Sequence, residues 1–388
     1  MVLAGAAILF LASCETVVYT PIEVPAGTAV SYNTSAFVKE MGLGFNLGNY
    51  LDATGGSGLN SESSWRGGQK INKEMVTALK NAGVKTVRIP VSWSNHITDR
   101  NNYTIDSAWL DRVKEVADYA ITQDMKVIVN IHHDNKSEKD LASGIGYAVT
   151  ADKDLKSKSA NFIQKVWIQI AEKFKDYDEN LVYELLNEPR CVGTSREWGG
   201  ATSDDLNCVT YYEQVALDAI RDIAGDKKHY VVVPSYAASD SGLNGYSLPD
   251  DYVDDRLIFA FHAYSPYSFA MQKNKEGGHS TFTDGDRKSL KSQFNNVDKI
   301  IHSKRAGIGI IIGEMGATNK NNLSDREAWF EFFIKEAYGT YGMPCFIWDN
   351  GSTNNPNESE RYGYFNPADN TWFYPTLIEA ARKATYGK

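Results

Sequence analysis

The chain has 388 residues, 42% of them hydrophobic, which is enough to bury a large core and too apolar for a disordered chain. A formal net charge of -9, with no local Lys/Arg cluster, argues against a nucleic-acid partner, which would need a basic face. Aromatic residues make up 12%, including 8 Trp and 22 Tyr, a surplus that suits contact with flat apolar faces such as those of sugar rings.

The first element is the apolar run from Val2 to Ala12, too short to span a bilayer and fitting the core of an export signal. Its end, Leu11-Ala-Ser-Cys14, resembles a bacterial lipobox, in which the Cys becomes the lipidated mature N-terminus, although no Lys or Arg precedes the run. Residues 1–14 are therefore expected to be a signal peptide and 15–35, with Pro21 and Pro25 and no clear period, a tether. Residues 36–388 carry no linker or short repeat and are expected to form one domain. The protein is expected to be exported, either released or held at the outer cell surface, to meet a membrane only through Cys14, and to act as a monomer.

Eight short apolar runs follow, each leading into loop residues: 42–49, 84–91, 126–133, 181–189, 229–235, 257–264, 307–316 and 342–350. Buried strands of a parallel sheet read this way, since both faces must be covered. Helical periods lie between them. Asp106 is a suitable N-cap for a helix whose stripe is Leu110, Val113, Ala117 and Ile121; Phe162, Val166, Ile170 and Phe174 form a second stripe. Residues 325–338 and 376–386 close the seventh and eighth units, while the helical signal between the fifth and sixth runs is weak. Eight such units predict an α/β fold, a single (β/α)8 TIM barrel. A doubly wound sheet is the alternative, but "GLGFNLGN" lacks the G-x-G-x-x-G spacing. In an oxidising compartment Cys191 and Cys208 are close enough in sequence to form a disulfide, and no CxxC spacing suggests a metal.

Catalytic groups of such barrels sit at the C-terminal strand ends. Those ends here carry Asn46, Arg88, His132 and His133, Asn187 and Glu188, His262 and Tyr264, Glu314, and Trp348. Each alone has a structural explanation; together, at one barrel mouth, they indicate a site. Two carboxylates in an aromatic-walled cleft are what glycoside hydrolysis needs, one to protonate the leaving oxygen and one to attack or to activate water. Glu188 and Glu314, on the fourth and seventh runs, face each other, and a separation of about 5–5.5 Å would mean retention, about 6.5–9.5 Å inversion. Arg88 is expected to hold Glu314 ionised, while Glu188, without an obvious cation, stays protonated as the acid. Asn187 suits the sugar 2-OH and Trp348 a stacking floor. His132 and His133 would point to opposite sides in regular β geometry, and "HHD" lacks a third spaced metal ligand. No metal and no organic cofactor is expected.

These residues resemble glycoside hydrolase family 5, the retaining cellulase family of (β/α)8 enzymes, through "GFNLGN", "VRIPVSW", "NIHHD", "LLNEPR", "FHAYSPY", "IIGEMGA" and "WDNG" in order. The resemblance implies Glu188 as acid/base, Glu314 as nucleophile, Asn46 as a sugar-binding residue, and a supporting ring of Arg88, Asn187, His262, Tyr264, Trp348 and one or both of His132 and His133. It also implies a cis peptide after Trp348. "GFNLGNYLDA" and "WDNG" look most like subfamily 4, which implies endo-acting hydrolysis of β-1,4-glucans: cellulose, mixed-linkage β-glucan or xyloglucan. Trp65 and Trp93 are further subsite candidates, and Trp198, in the segment after the fourth run, either lines a subsite or, the preferred reading, covers the barrel rim. Alternatives are a xyloglucan- or mannan-specific enzyme and a non-catalytic surface glycan-binding barrel, against which the presence of both glutamates argues.

Overall fold

Alternate residues of a strand point to opposite faces, and the eight apolar runs use both faces for burial. In the computed structural model, which describes residues 34–253, 255–353 and 360–387, they form β1 (Gly44–Leu47), β2 (Thr86–Ile89), β3 (Lys126–Asn130), β4 (Leu181–Glu184), β5 (Val231–Pro234), β6 (Leu257–Ala263), β7 (Gly309–Met315) and β8 (Cys345–Asp349). All pair in parallel, in sequence order, and β8 closes on β1 to complete the barrel. The expected TIM barrel is borne out.

Outward residues such as Phe45, Val87, Val129, Tyr183 and Ile347 join one core with the surrounding helices. Inward residues form a second core: Ile128, Val182, Val232, Ile258, Ala260, Ile311 and Phe346 fill the barrel, and Phe37, Val38 and Met41 plug its N-terminal end. Phe37 and Val38 come from a short helix, Ser35–Glu40. It is tied down by Thr34, which is buried, donates from Oγ1 to the Leu257 carbonyl (3.0 Å) and accepts from Gly309 N. Thr34 and Ser35, the end of the expected tether, are thus part of the barrel base. The expected signal peptide, with Cys14, and the rest of the expected tether lie outside the described residues.

The covering helices are α1 (Lys73–Asn81), α2 (Ser107–Ile121), α3 (Lys153–Phe174), α4 (Ser203–Asp218), α5 (Asp284–Lys304), α6 (Leu323–Ile334) and α7 (Pro375–Tyr386). Asp106 caps α2 as expected, accepting from Ala108 N, and α4 and α5 start with capping boxes, Thr202/Asp205 and Thr283/Asp286. The stripe of α3 is buried as expected. That of α2 is rotated: Trp109, Val113, Val116, Ala117 and Ala120 are buried, whereas Leu110 and Ile121 are half-buried, because the large Trp109 indole takes the core position. Between β5 and β6 the described residues hold only a 3-10 turn, Tyr236–Ala238, which matches the weak helical signal there. No helix among the described residues is long and apolar enough to cross a membrane.

Cys191 and Cys208 are not bonded to each other. Asp205, one turn before Cys208 on α4, draws the Cys191 thiol into a hydrogen bond (3.1 Å), while Cys208 is buried beside Thr150 and Tyr212.

A Cβ at Gly309 would stand 2.3 Å from Val38 Cγ2 and 3.0 Å from Thr34 Oγ1. Gly309→Ala must displace the plug, and overpacking of this kind costs about 1–3 kcal/mol. Thermal unfolding should show a lowered Tm; an unchanged Tm would mean that residues 34–41 are not seated on the barrel.

Candidate active site

The inner face of the barrel turns polar in its last layer. Two residues beyond inward-facing Thr86, Ile128, Val182, Ala260 and Phe346 come Arg88, Asn130, Glu184, His262 and Trp348, and Asn46 of β1 pairs beside Arg88 and Trp348. The strand period of two therefore delivers all of them to the C-terminal mouth. β7 departs from that period. Counting on from inward Ile311 would aim Gly313 inward and Glu314 outward. The register shifts instead, with Phe261 opposite Ile312 but His262 opposite Glu314, so Gly313 is an extra, bulged residue. The bulge turns Glu314 into the mouth. A Cβ at Gly313 would lie 3.0 Å from His262 Nε2, and its carbonyl accepts from Asn46 Nδ2 (3.0 Å).

Arg88, fully buried, joins this layer together. Nε donates to Glu184 Oε2 (2.7 Å), Nη1 to Asn46 Oδ1 and Glu314 Oε1 (2.8 Å each), and Nη2 to Asn187 Oδ1 (2.7 Å). Burial opposes its charge, but Glu184 and Glu314 outweigh that cost and keep it protonated. Glu314 is held again on its other oxygen by Tyr264 OH (2.8 Å).

Glu188 reaches the mouth differently. The β4 strand stops at Glu184, Leu185 and Leu186 stay buried, and Asn187-Glu188 project from the turn that Pro189 ends. His262 Nδ1 lies 2.8 Å from Glu188 Oε1 and 3.6 Å from Glu314 Oε2. An oxygen of Glu188 comes within 4.8 Å of one of Glu314, so the two carboxylates face each other across a narrow gap at the mouth.

Burial raises both carboxyls above the ordinary value. For Glu314, His262, Arg88 and the Tyr264 hydroxyl oppose the rise and Glu188 adds to it; for Glu188, Arg190, Arg88 and His133 oppose it. The expectation that Glu188 lacks a cation is corrected: Arg190 Nη1 stands 3.7 Å from its Oε2. Only Glu314, however, accepts a hydrogen bond directly from a cation, so it is the better stabilised anion of the two. Burial pushes His262 down to about 4, so its ring is neutral near pH 7.

Both predicted histidines reach the site. Regular alternation does not apply, because β3 ends at Asn130; beyond it His132 N donates to Val91 O and His133 N to Ser92 Oγ. The His132 ring lies parallel to Trp348 (centroids 5.6 Å apart, 4° between planes), and His133 Nδ1 donates to the Asp52 carbonyl (3.0 Å). Asp52 supplies the third donor that "HHD" lacks in sequence: its carboxylate, His132 and His133 have donor atoms within 4.8 Å of one another. Their Nδ1 atoms are already engaged, His132 with Asn130 Nδ2 and His133 with that carbonyl.

Of the other tryptophans, Trp65 is 42% exposed, sits 5.5 Å from the His133 ring and borders a cavity of about 640 Å³ with Asn49, Arg66 and Phe373. Trp198 is 62% exposed and stacks on Arg190. Trp93 is not a subsite residue: it is fully buried, its indole N–H bonded to the Asn130 carbonyl and its backbone N–H to Asp134. The peptide after Trp348 is trans; among the described residues only Ser265–Pro266 is cis. Sequence reasoning missed Glu184 and Asn130, whose signal was a polar residue inside each apolar run, and Asp52 and Arg190, which carry none.

Comparison with known proteins agrees with this geometry. The family model described as Cellulase (glycosyl hydrolase family 5) matches residues 47–354. Endoglucanase A of Clostridium longisporum is 36% identical over 98% of this chain and 70% of its own length. The solved structure of a GH5-4 broad specificity endoglucanase from the same organism superposes with a TM-score of 0.82 at 35% identity, covering 92% of this chain and 99% of that one. A glycoside hydrolase 5 lichenase from Caldicellulosiruptor sp. F32, solved with cellotetraose, gives 0.83 at 32% identity over 94% and 99%.

Glu184→Gln removes one of the two carboxylates that neutralise a buried guanidinium. Breaking such a pair from one side costs about 3–5 kcal/mol, so urea unfolding should show that loss, with activity falling as Arg88 shifts. Full stability in the variant would mean that Arg88 does not depend on its bond to Glu184.

Proposed function

The chain belongs to the cellulase family, glycosyl hydrolase family 5, and from that premise we propose that it is an endo-β-1,4-glucanase that cleaves β-glucans with retention, Glu314 acting as nucleophile and Glu188 as acid and base. The observation that carries the proposal is the unequal pair at the mouth. Glu314 is bonded by Arg88 and Tyr264 in the anion's favour, and Glu188 faces it within 4.8 Å from a more exposed turn.

In the first step a Glu314 oxygen bonds to the anomeric carbon while the glycosidic C–O bond breaks, and the proton on Glu188 passes to the leaving oxygen. In the second, Glu188, now ionised, takes a proton from water as the water oxygen bonds to the same carbon and the Glu314 ester bond breaks. Each step returns the charge of the pair to where the other needs it. Neutral His262, protonated on Nδ1, donates to Glu188 Oε1 and leaves Oε2 for the substrate. In this reading Asn187, fixed by Arg88, bonds the sugar 2-OH, and Trp348, parallel to the His132 ring, is the stacking floor; the Arg88 bond and the parallel rings support these roles.

The matched endoglucanase and the lichenase support a β-glucan substrate, and the open rim with exposed Trp65 and Trp198 supports cleavage within a chain. The lipobox-like "LASC" supports export and attachment through Cys14, testable by radiolabelled palmitate incorporation in the wild type and in Cys14→Ala.

The deciding measurement is a time course on barley β-glucan, carboxymethyl cellulose and tamarind xyloglucan, with product anomers followed by NMR. The β-anomer should appear first, and Glu314→Gln should lose at least three orders of magnitude in kcat. Initial α-anomer, or an active Glu314→Gln enzyme, would refute the mechanism; activity confined to mannan would refute the substrate. Because burial raises both carboxyls, the bell-shaped pH profile should centre above the ordinary Glu value of 4.5, falling at low pH as Glu314 gains a proton and at high pH as Glu188 loses one.

A further inference from the structure

The loop after Glu188 is built around one guanidinium. Arg190 Nη1 donates to the Glu188 carbonyl (3.0 Å), its Nε lies 3.3 Å from Glu197 Oε1, and its backbone N–H donates to Asn135 Oδ1 (2.8 Å). The indole of Trp198 covers one face of the guanidinium at 4.1 Å. Glu197 is itself fixed by Gly193 N (2.9 Å), and Tyr236 OH anchors the loop at both ends, accepting from Cys191 N and donating to Arg196 O. So restrained, Arg190 stops 3.7 Å short of Glu188 Oε2, too far for a hydrogen bond and near enough for its charge to act.

We propose that Arg190 is a positioning residue that acts through Glu188, its clamped guanidinium favouring the ionised carboxylate that the second, water-attack step requires. A buried glutamate with no cation would regain a proton after the first step and be unavailable as the base for the second. One bonded directly to a cation would already be ionised and have no proton to give in the first. The loop sets a distance between those extremes.

The other charged or titratable groups facing Glu188 do this less than Arg190 or act in the opposite sense, and the Tyr147 and Tyr264 hydroxyls, pushed up by burial, stay neutral. His262 from β6 and His133 from the loop after β3 are pushed down by burial and are neutral near pH 7. Arg88 from β2 donates to Glu184, Glu314, Asn46 and Asn187, and Glu314 from β7 acts in the opposite sense. Arg190 is the largest of the influences that oppose burial at Glu188.

The role exists only if Glu188 serves as both acid and base, as proposed above, and the test separates the two ideas. 2,4-Dinitrophenyl β-cellobioside has a leaving group that needs no acid, so kcat reports the second step and its low-pH limb reports Glu188. In Arg190→Met that limb should move up by about one pH unit. At a pH below the limb kcat should fall about tenfold and recover with azide, which attacks without a base. Trp198→Ala, which frees the guanidinium, should move the limb the same way by less, and Arg190→Lys should restore part of it. An unmoved limb in Arg190→Met, or a loss that azide does not rescue, overturns the proposal and leaves a structural role only. Should Arg190→Met fail to fold, the limb of Trp198→Ala decides by the same criteria. If instead the wild type shows no dinitrophenol burst and Glu188→Gln no azide rescue, the double-displacement mechanism itself fails.

Discussion

The buried charge of Arg88 is the constraint on which the mouth of the barrel depends. A guanidinium removed from water is costly unless each of its donors finds an acceptor. Here Nε, Nη1 and Nη2 bond Asn46 of β1, Glu184 of β4, Asn187 of the following turn and Glu314 of β7. These acceptors come from sites up to 268 residues apart in the chain, counting from Asn46 to Glu314, so the ion can be satisfied only when the barrel is closed and in register. The polar layer is thus held to one arrangement by its own desolvation cost, and the apolar layers beneath it supply the burial that offsets that cost.

Two backbone devices make that arrangement reachable. Period-two strands alone would place the nucleophile outside the barrel. The bulge at Gly313 inserts the one residue needed, and its lack of a side chain leaves room for the His262 ring. On β4 the strand stops early and Pro189 closes the turn, so Glu188 comes from outside the ladder, more exposed than Glu314 and next to a loop that can set its surroundings. One carboxylate is fixed by the sheet and the other by a loop, which is why their electrostatics can differ.

The barrel was legible in the sequence because a residue buried on both sides of a sheet leaves little choice but an apolar run, and eight such runs have few ways to close. The strand ends were legible for a related reason: a Glu, His or Arg closing an apolar run has no core role. What escaped was polar chemistry inside the runs. Glu184 and Asn130 sit where a buried apolar residue is expected, and only their partner Arg88, far away in sequence, explains them. Alternation also failed at His132 and His133, since the ladder ends two residues before the first of them. The aromatic surplus was a weak guide: Trp93, Trp109, Trp167 and Trp329 are fully buried, so half of the tryptophans belong to the core. The Cys191–Cys208 pair shows the limit of sequence proximity, because a carboxylate one helical turn away engaged the first thiol.

Glu184 also bears on the chemistry. A nucleophilic carboxylate must be ionised yet not so fully paired that its attacking oxygen is withdrawn. If Arg88 faced Glu314 alone, its whole charge would be spent on the nucleophile, stabilising the ground state as much as anything that follows. Sharing the guanidinium with Glu184 divides that attraction: Glu184 takes Nε and also accepts from Asn130, leaving Glu314 with Nη1 alone. As the Glu314 ester forms and its charge disappears, Arg88 still has Glu184 as a full counter-ion and is never left buried and unpaired. The second carboxylate inside β4 is therefore what allows the first to give up its charge in the reaction without stranding the cation beneath it.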